Sequence, residues 1–307
     1  MKYLPFLNGK YSTAPGLVLM EKTVQPADAL VFQIDNAYEK YLYNKQCCRK
    51  ENMQKYYCEN TLWTKTISAI NWFIINKLLK EYPQYFVIEK DHDDYRLLNK
   101  RTGETMRWNL HNQQLAGDRY ISLFDGLCCQ VQEDMAVCQL NREEDWLAAI
   151  HLCAPNHWAP EDKIGKPFDA VHAPVADMEK TTRHYSKMLE SIVHKGPFTR
   201  FAWGIATDTR LNHHPAAPPG ADADEWHGRK TTGTDTKFYV RTERQNLIGF
   251  PGVNAFLFTI RTYFYDTDTL EQYEKIALSE ALDSMSEATL AYKGLTDKVK
   301  LVKERLL

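Results

Sequence analysis

Between Thr61 and Tyr82 the apolar residues Leu62, Trp63, Ile67, Ile70, Phe73, Ile74, Leu78 and Leu79 recur every three or four positions, and Pro83 follows. That period places them on one face of an α-helix, which the proline, having no N–H to give, brings to an end. The stretch before it, Ala37 to Cys58, is polar with a thin apolar stripe at Tyr38, Tyr41 and Leu42, and predicts a largely solvated helix. From Tyr85 the period drops to two. YFVIEKD and YRLLNKRTGETMRWNL predict short strands, with Thr102-Gly103 as turn chemistry. SLFDGLCCQVQED, apolar at 121, 124, 127, 128 and 131, suits a short helix. MAVCQLN and DWLAAIHLCAP then predict an antiparallel hairpin across Asn141-Arg142-Glu143-Glu144.

The second half continues the mixture. NHWAPEDKIGKPFDAVHAPVA is punctuated by prolines and predicts an irregular loop. Asp177 to His194 predicts a helix with Asp177 as N-cap, ended by Gly196-Pro197. FTRFAWGIATDT, KFYVRTERQNL and the strongly apolar VNAFLFTIRTYFY predict three more strands. Between the first two, residues 212–235 are rich in Pro, Gly and Asp and predict an exposed loop insertion. Leu270 to Leu290 predicts an amphipathic helix, and LTDKVKLVKERLL a charged helical tail. Helices, then strands with short helices, then helices again describe an α+β chain rather than a doubly wound sheet.

Composition narrows the function classes. The 307 residues carry 38 Lys+Arg against 40 Asp+Glu, a net charge of −2, which argues against nucleic acid or an anionic membrane as a partner. Seven Trp, 17 Tyr and 13 Phe suffice for a core and a flat-walled pocket. Pro5, Asn8 and Lys10 interrupt the first residues, so no signal-peptide pattern is read there. No run reaches the roughly 18 apolar residues of a bilayer span. The seven cysteines include the adjacent pairs Cys47-Cys48 and Cys128-Cys129 and no CxxC, the usage of reduced thiols in a cytoplasmic protein.

No GxGxxG, P-loop, HExxH or GxSxG is present. The run Arg142-Glu143-Glu144-Asp145 reads as a solvated turn, and a metal site at His213-His214 would need further ligands. His172 lies in a segment stiffened by Pro167 and Pro174. An imidazole held there can offer one nitrogen to a metal while the other is fixed by an acceptor, or be a hydrogen-bonded structural residue. His151, on a strand face with Ala149 and Cys153, and His157 are weaker candidates of the same kind; a hydrolase built on these three histidines lacks a carboxylate at useful spacing. Arg241, Glu243 and Gln245 share one face of a strand, and Arg261 and Tyr263 share a face of the next. Arginines among apolar neighbours must be paired or functional, an ion pair of Arg244 with Glu133 or Asp134 being the structural alternative.

VQED (131–134), HLCAPNHWAPEDKIGKPFDAVHAPV (151–175), RTERQNL (241–247) and FTIRTY (258–263), in this order, resemble the motifs of the haem-dependent oxidative N-demethylase alpha-subunit family. The resemblance implies a PAS-like antiparallel sheet cupping a b-type haem, in residues 85–266, with an N-terminal helical extension (1–84) and C-terminal helices (267–307), all in one compact domain. It implies oxidative N-demethylation of a small secondary amine such as dimethylamine by dioxygen, with electrons from separate NADPH-dependent flavin and iron–sulfur subunits. It places His172, in VHAPVA, as axial ligand of the haem iron. It suggests Arg241, Arg244 and Tyr263 as catalytic donors and Gln245, Lys163 and Arg261 as cofactor contacts. Departures are Ala176 in place of a proline, Ala202 in place of an asparagine in Arg200-Phe201-Ala202-Trp203, and the 212–235 insertion. A PAS-like haem sensor, or a haem-free interaction protein, would share the same frame.

Overall fold

The computed structural model of the chain describes residues 2–23, 25–227 and 236–306. Its strands are β1 (Val18–Leu19), β2 (Tyr57–Glu59), β3 (Phe86–Asp91), β4 (Asp94–Asn99), β5 (Glu104–Asn109), β6 (Asp134–Leu140), β7 (Asp145–His151), β8 (Phe198–Ala206), β9 (Tyr239–Phe250) and β10 (Ala255–Asp266). Its helices are α1 (Tyr38–Tyr56), α2 (Thr64–Glu81), α3 (Leu123–Cys128), α4 (Phe168–His172), α5 (Glu179–Arg183), α6 (Tyr185–Lys195), α7 (Ala223–Trp226), α8 (Gln272–Asp283), α9 (Glu287–Tyr292) and α10 (Val299–Leu306). The protein is a mixed α+β structure with antiparallel sheets.

Seven strands form one sheet in the order β1-β8-β9-β10-β6-β7-β2, and β3-β4-β5 form a second. Numbered along the chain, the five long strands β6 to β10 therefore lie side by side as second, first, fifth, fourth, third. The crossover from the second of these to the third carries α4, α5 and α6.

Pairing partners across a sheet share a face, so the register decides which side chains meet. Leu247 lies opposite both Phe258 and Phe198. These pack against Leu189, Ile192 and Val193 of α6 and Phe168 of α4, which defines the crossover face. The opposite face buries Ile248, Leu257, Val137 and Met135 against α2, α3 and the small sheet, through Ile70, Ile74, Phe124 and Trp108. Gly249 marks where α6 comes closest: a Cβ there would collide with the backbone carbonyls of Val193 and Ile192.

Several expectations change. The helix expected over 177–194 is two, α5 and α6, meeting at His184. Asp177 does not cap it. Its φ of 58° is left-handed, whereas an N-cap is extended; its carboxylate instead accepts from Ser286 and Thr289 at 2.5 and 2.8 Å, tying the crossover to α9. The proline-punctuated loop contains α4, entered directly after Pro167, whose fixed φ suits a helix start. His213 and His214, expected in an exposed loop, are 2% and 1% exposed; the end of that insertion, 228–235, lies outside the described residues. The segment expected as a helical extension also supplies β1 and β2 to the two edges of the large sheet. No helix among the described residues is long and apolar enough to cross a membrane.

Candidate functional site

The short helix α4 is held at its start by Asp145, whose Oδ2 accepts from the Phe168 N–H at 2.7 Å. The Phe168 ring stacks on Tyr185 with centroids 5.5 Å apart and lies 4.0 Å from the His172 ring. His172 Nδ1 is 2.8 Å from the Phe168 carbonyl oxygen. A carbonyl only accepts, so Nδ1 carries the proton and Nε2 keeps its lone pair. Burial pushes the imidazole down to about 4 against the pull of the Phe168 carbonyl, and the Arg200 and Lys163 cations push the same way as burial. His172 is therefore neutral at physiological pH. Lys163, on the same crossover, donates to the Val171 carbonyl at 2.5 Å, and its own ammonium is lowered by burial and then by Lys166.

Across from α4, the crossover face of the sheet carries a polar row. Arg200 on β8 pairs in register with Gln245 on β9. Gln245 donates to Glu243 Oε2 at 3.0 Å, and Arg241 Nε lies 3.6 Å from Glu243 Oε1. Arg241 also donates to the carbonyls of Ala154 and Leu211 at 2.6 and 3.3 Å and to His213 Nδ1 at 3.0 Å. His213 must then give its Nε2 proton to Asp208, 2.9 Å away. Arg200 shares with Arg241 a guanidinium lowered by burial against the pull of Glu243 and an Nε buried without a hydrogen-bond partner. Beyond Arg200, away from Phe198, the same face of β8 presents small residues, Ala202, Gly204 and Ala206. A Cβ built on Gly204 would approach Lys293 Nζ alone, at 3.8 Å.

Not all the residues singled out from the sequence meet here. His172, Lys163, Arg241 and Gln245 belong to the crossover side. Arg244, Arg261 and Tyr263 point through the sheet to the other side. Arg244 donates to the carbonyls of Asp28 and Leu30 at 2.8 and 2.7 Å, with the Asp28 carboxylate 3.9 Å away rather than Glu133 or Asp134. Arg261 bonds Asp35 at 2.9 Å and lies 3.9 Å over the Tyr41 ring. Tyr263 donates to the Gln33 amide oxygen. All three fasten residues 28–41 to the back of the sheet. His157 stacks on His213 at 5.2 Å, away from His172's partners.

Arg200, legible in the sequence only as the first residue of Arg200-Phe201-Ala202-Trp203, joins this face without having been assigned a role in it. The alternation of Phe198, Arg200 and Ala202 was the signal available for it, since that alternation puts a guanidinium on the face that Gln245 shares.

Residues 22–303, nearly the whole chain, match the family described as haem-dependent oxidative N-demethylase, alpha subunit-like, a span that takes in strands β2 to β10, the crossover with His172 and helices α1 to α9. The chain belongs to that family.

Proposed function

We propose that this chain binds a b-type haem on the crossover face of the sheet. With electrons from separate NADPH-dependent flavin and iron–sulfur subunits, it uses dioxygen to remove a methyl group, as formaldehyde, from a small secondary amine such as dimethylamine. The strand order second-first-fifth-fourth-third, with a helical crossover between second and third, supports a PAS-like reading of the sheet. The observation that carries the proposal is His172: a neutral imidazole, its Nδ1 proton engaged by a backbone carbonyl, with Nε2 free to donate to iron.

The surrounding residues suit a haem. Its carboxylates need cations, and Arg200 offers an unpartnered N–H beside His172 while Lys163 stands on the crossover. Its flat body needs a floor of short side chains, and Ala202, Gly204 and Ala206 provide one along β8, with Lys293 Nζ at its edge near Gly204. When bound, the haem supplies oxygen activation and the oxidation of the N-methyl C–H. The protein supplies position and charge. Glu243, held by Gln245 and Arg241, presents a carboxylate to a protonated amine and accepts its N–H. Arg241 fixes that carboxylate and the loop at Ala154 and Leu211 together. Arg244, Tyr263 and Arg261 act from behind, by keeping the N-terminal segment on the sheet.

The test is the absorption spectrum of purified protein supplied with haem, followed by amine-dependent oxygen consumption and formaldehyde release with a chemical reductant. A histidine-ligated spectrum that is lost in His172→Ala is expected. An unchanged spectrum in that variant overturns the ligand, and haem binding without any amine-dependent turnover overturns the reaction in favour of a sensor.

A further inference from the structure

We infer that Cys129, His151 and Asp125 form a second site, behind the sheet, for a zinc-class divalent metal ion. The site is independent of the haem reading. Asp125 lies in the first turn of α3 and Cys129 caps its end four residues on, so a helical turn brings them onto one side. His151 closes β7 and is fully buried. Its Nε2 lies 3.6 Å from the Cys129 sulfur and 3.6 Å from Asp125 Oδ1. The three ligand atoms all fall within 4.8 Å of one another. Atoms that share a tetrahedral zinc at about 2.0–2.3 Å stand roughly 3.3–3.6 Å apart, so the arrangement needs little movement to close on an ion.

A cavity of about 370 Å³ lies against this group. Cys129 forms part of its wall, with Lys45, Arg49 and Glu104. It gives an ion a route in and leaves room for water as a fourth ligand, the open position of a three-ligand zinc site. A thiolate, an imidazole and a carboxylate together favour zinc over magnesium or calcium, which prefer oxygen alone. Binding exchanges the Cys129 S–H bond for an S–Zn bond, and the proton leaves to solvent through the cavity. Lys45, 3.7 Å from Asp134, is offset by that carboxylate, and an ion at Asp125 Oδ1 takes the place of the Arg49 N–H that donates there.

A rival set exists on the other ring nitrogen, with Cys153 sulfur 3.9 Å from His151 Nδ1 and Asp134 beside it. Both carboxylates already accept hydrogen bonds, Asp134 from the Cys153 and Ala154 N–H groups at 3.0 and 2.6 Å and Asp125 from Arg49 and the Ile121 N–H, so access decides between the sets. Neither Cys153 nor Asp134 lines the cavity. Cys129 is therefore the ligand an ion entering from the cavity meets first, with Asp125 and His151 buried behind it.

The test uses the full-length protein incubated with zinc chloride and desalted, with zinc measured by mass spectrometry and zinc-edge X-ray absorption. One retained zinc per chain with a sulfur neighbour at about 2.3 Å is expected. Cys129→Ser loses both the sulfur neighbour and the retained zinc, and Cys153→Ser keeps both. No retained zinc, or a spectrum without sulfur, in the unaltered protein overturns the site, whatever the variants do. A sulfur neighbour that persists in Cys129→Ser but disappears in Cys153→Ser overturns it in favour of the rival set.

Discussion

Gln245 donates its amide N–H to the Glu243 carboxylate at 3.0 Å, while Arg244, between them in sequence, passes to the other side of the sheet and binds the carbonyls of Asp28 and Leu30. Successive residues of a strand face opposite ways, so one five-residue motif serves two purposes. Its odd positions, Arg241, Glu243 and Gln245, build the crossover face. Arg244 holds the N-terminal segment in place.

Arg244→Ala therefore weakens the fold rather than the haem site. It removes two charge-assisted hydrogen bonds and strands two carbonyls, at a cost of about 3 kcal/mol. The expected result is a lower denaturation midpoint with haem bound per folded chain unchanged. Chemical denaturation together with a haem titration at low temperature checks it, and haem loss at full stability refutes it.

Arg200→Ala has the opposite signature. Its Nε has no hydrogen-bond partner to strand, so stability changes by under about 1 kcal/mol. Losing a charge-assisted pair with a haem carboxylate weakens haem affinity by about 10- to 100-fold. Competition for haem with an apo-globin measures this; unchanged affinity assigns Arg200 to structure alone.

Acid destabilises the haem-free chain through His172. Its native value is about 4 and the unfolded value about 6.5, so between those limits the unfolded chain binds the proton and the native chain does not. The contribution is complete above pH 6.5 and falls away as pH drops toward 4. Its ceiling is about 3 kcal/mol, less because the ring is only half-buried. His151 and His213, also lowered by burial, stay in place in His172→Gln, so the difference between the two acid limbs isolates His172. Identical acid limbs would refute the assignment.

Gly249→Ala separates α6 from the sheet. The added Cβ would collide with the Val193 and Ile192 carbonyls, which are backbone and cannot swing aside. A destabilisation of about 1–3 kcal/mol is expected, as for overpacking elsewhere. Thermal denaturation of the variant checks it, and an unshifted midpoint would mean that α6 is not held against β9 as described.

Much of the local structure was legible in the sequence. The two-residue alternation of KFYVRTERQNL and VNAFLFTIRTYFY announced β9 and β10, and the three- and four-residue recurrence before Pro83 announced α2. Asp177 was misleading because an aspartate before a polar run is a good N-cap by type, while its left-handed backbone and its bonds to Ser286 and Thr289 depend on a helix more than a hundred residues away. His213 was misleading for the same kind of reason. Prolines around it suggest exposure, yet Arg241 from a distant strand draws it inside.

The chain's own order of residues settled the period of each segment, its stops and the chemical types on offer, because those follow from backbone geometry within a few residues. It also made Arg241, Glu243 and Gln245 neighbours on one face. Which face they look from, and whether Arg261 and Tyr263 join them, was decided only when β8, β9 and β10 paired and the crossover closed over one side. Side-chain direction relative to a partner is a property of register and packing between segments far apart in sequence, and no local pattern encodes it.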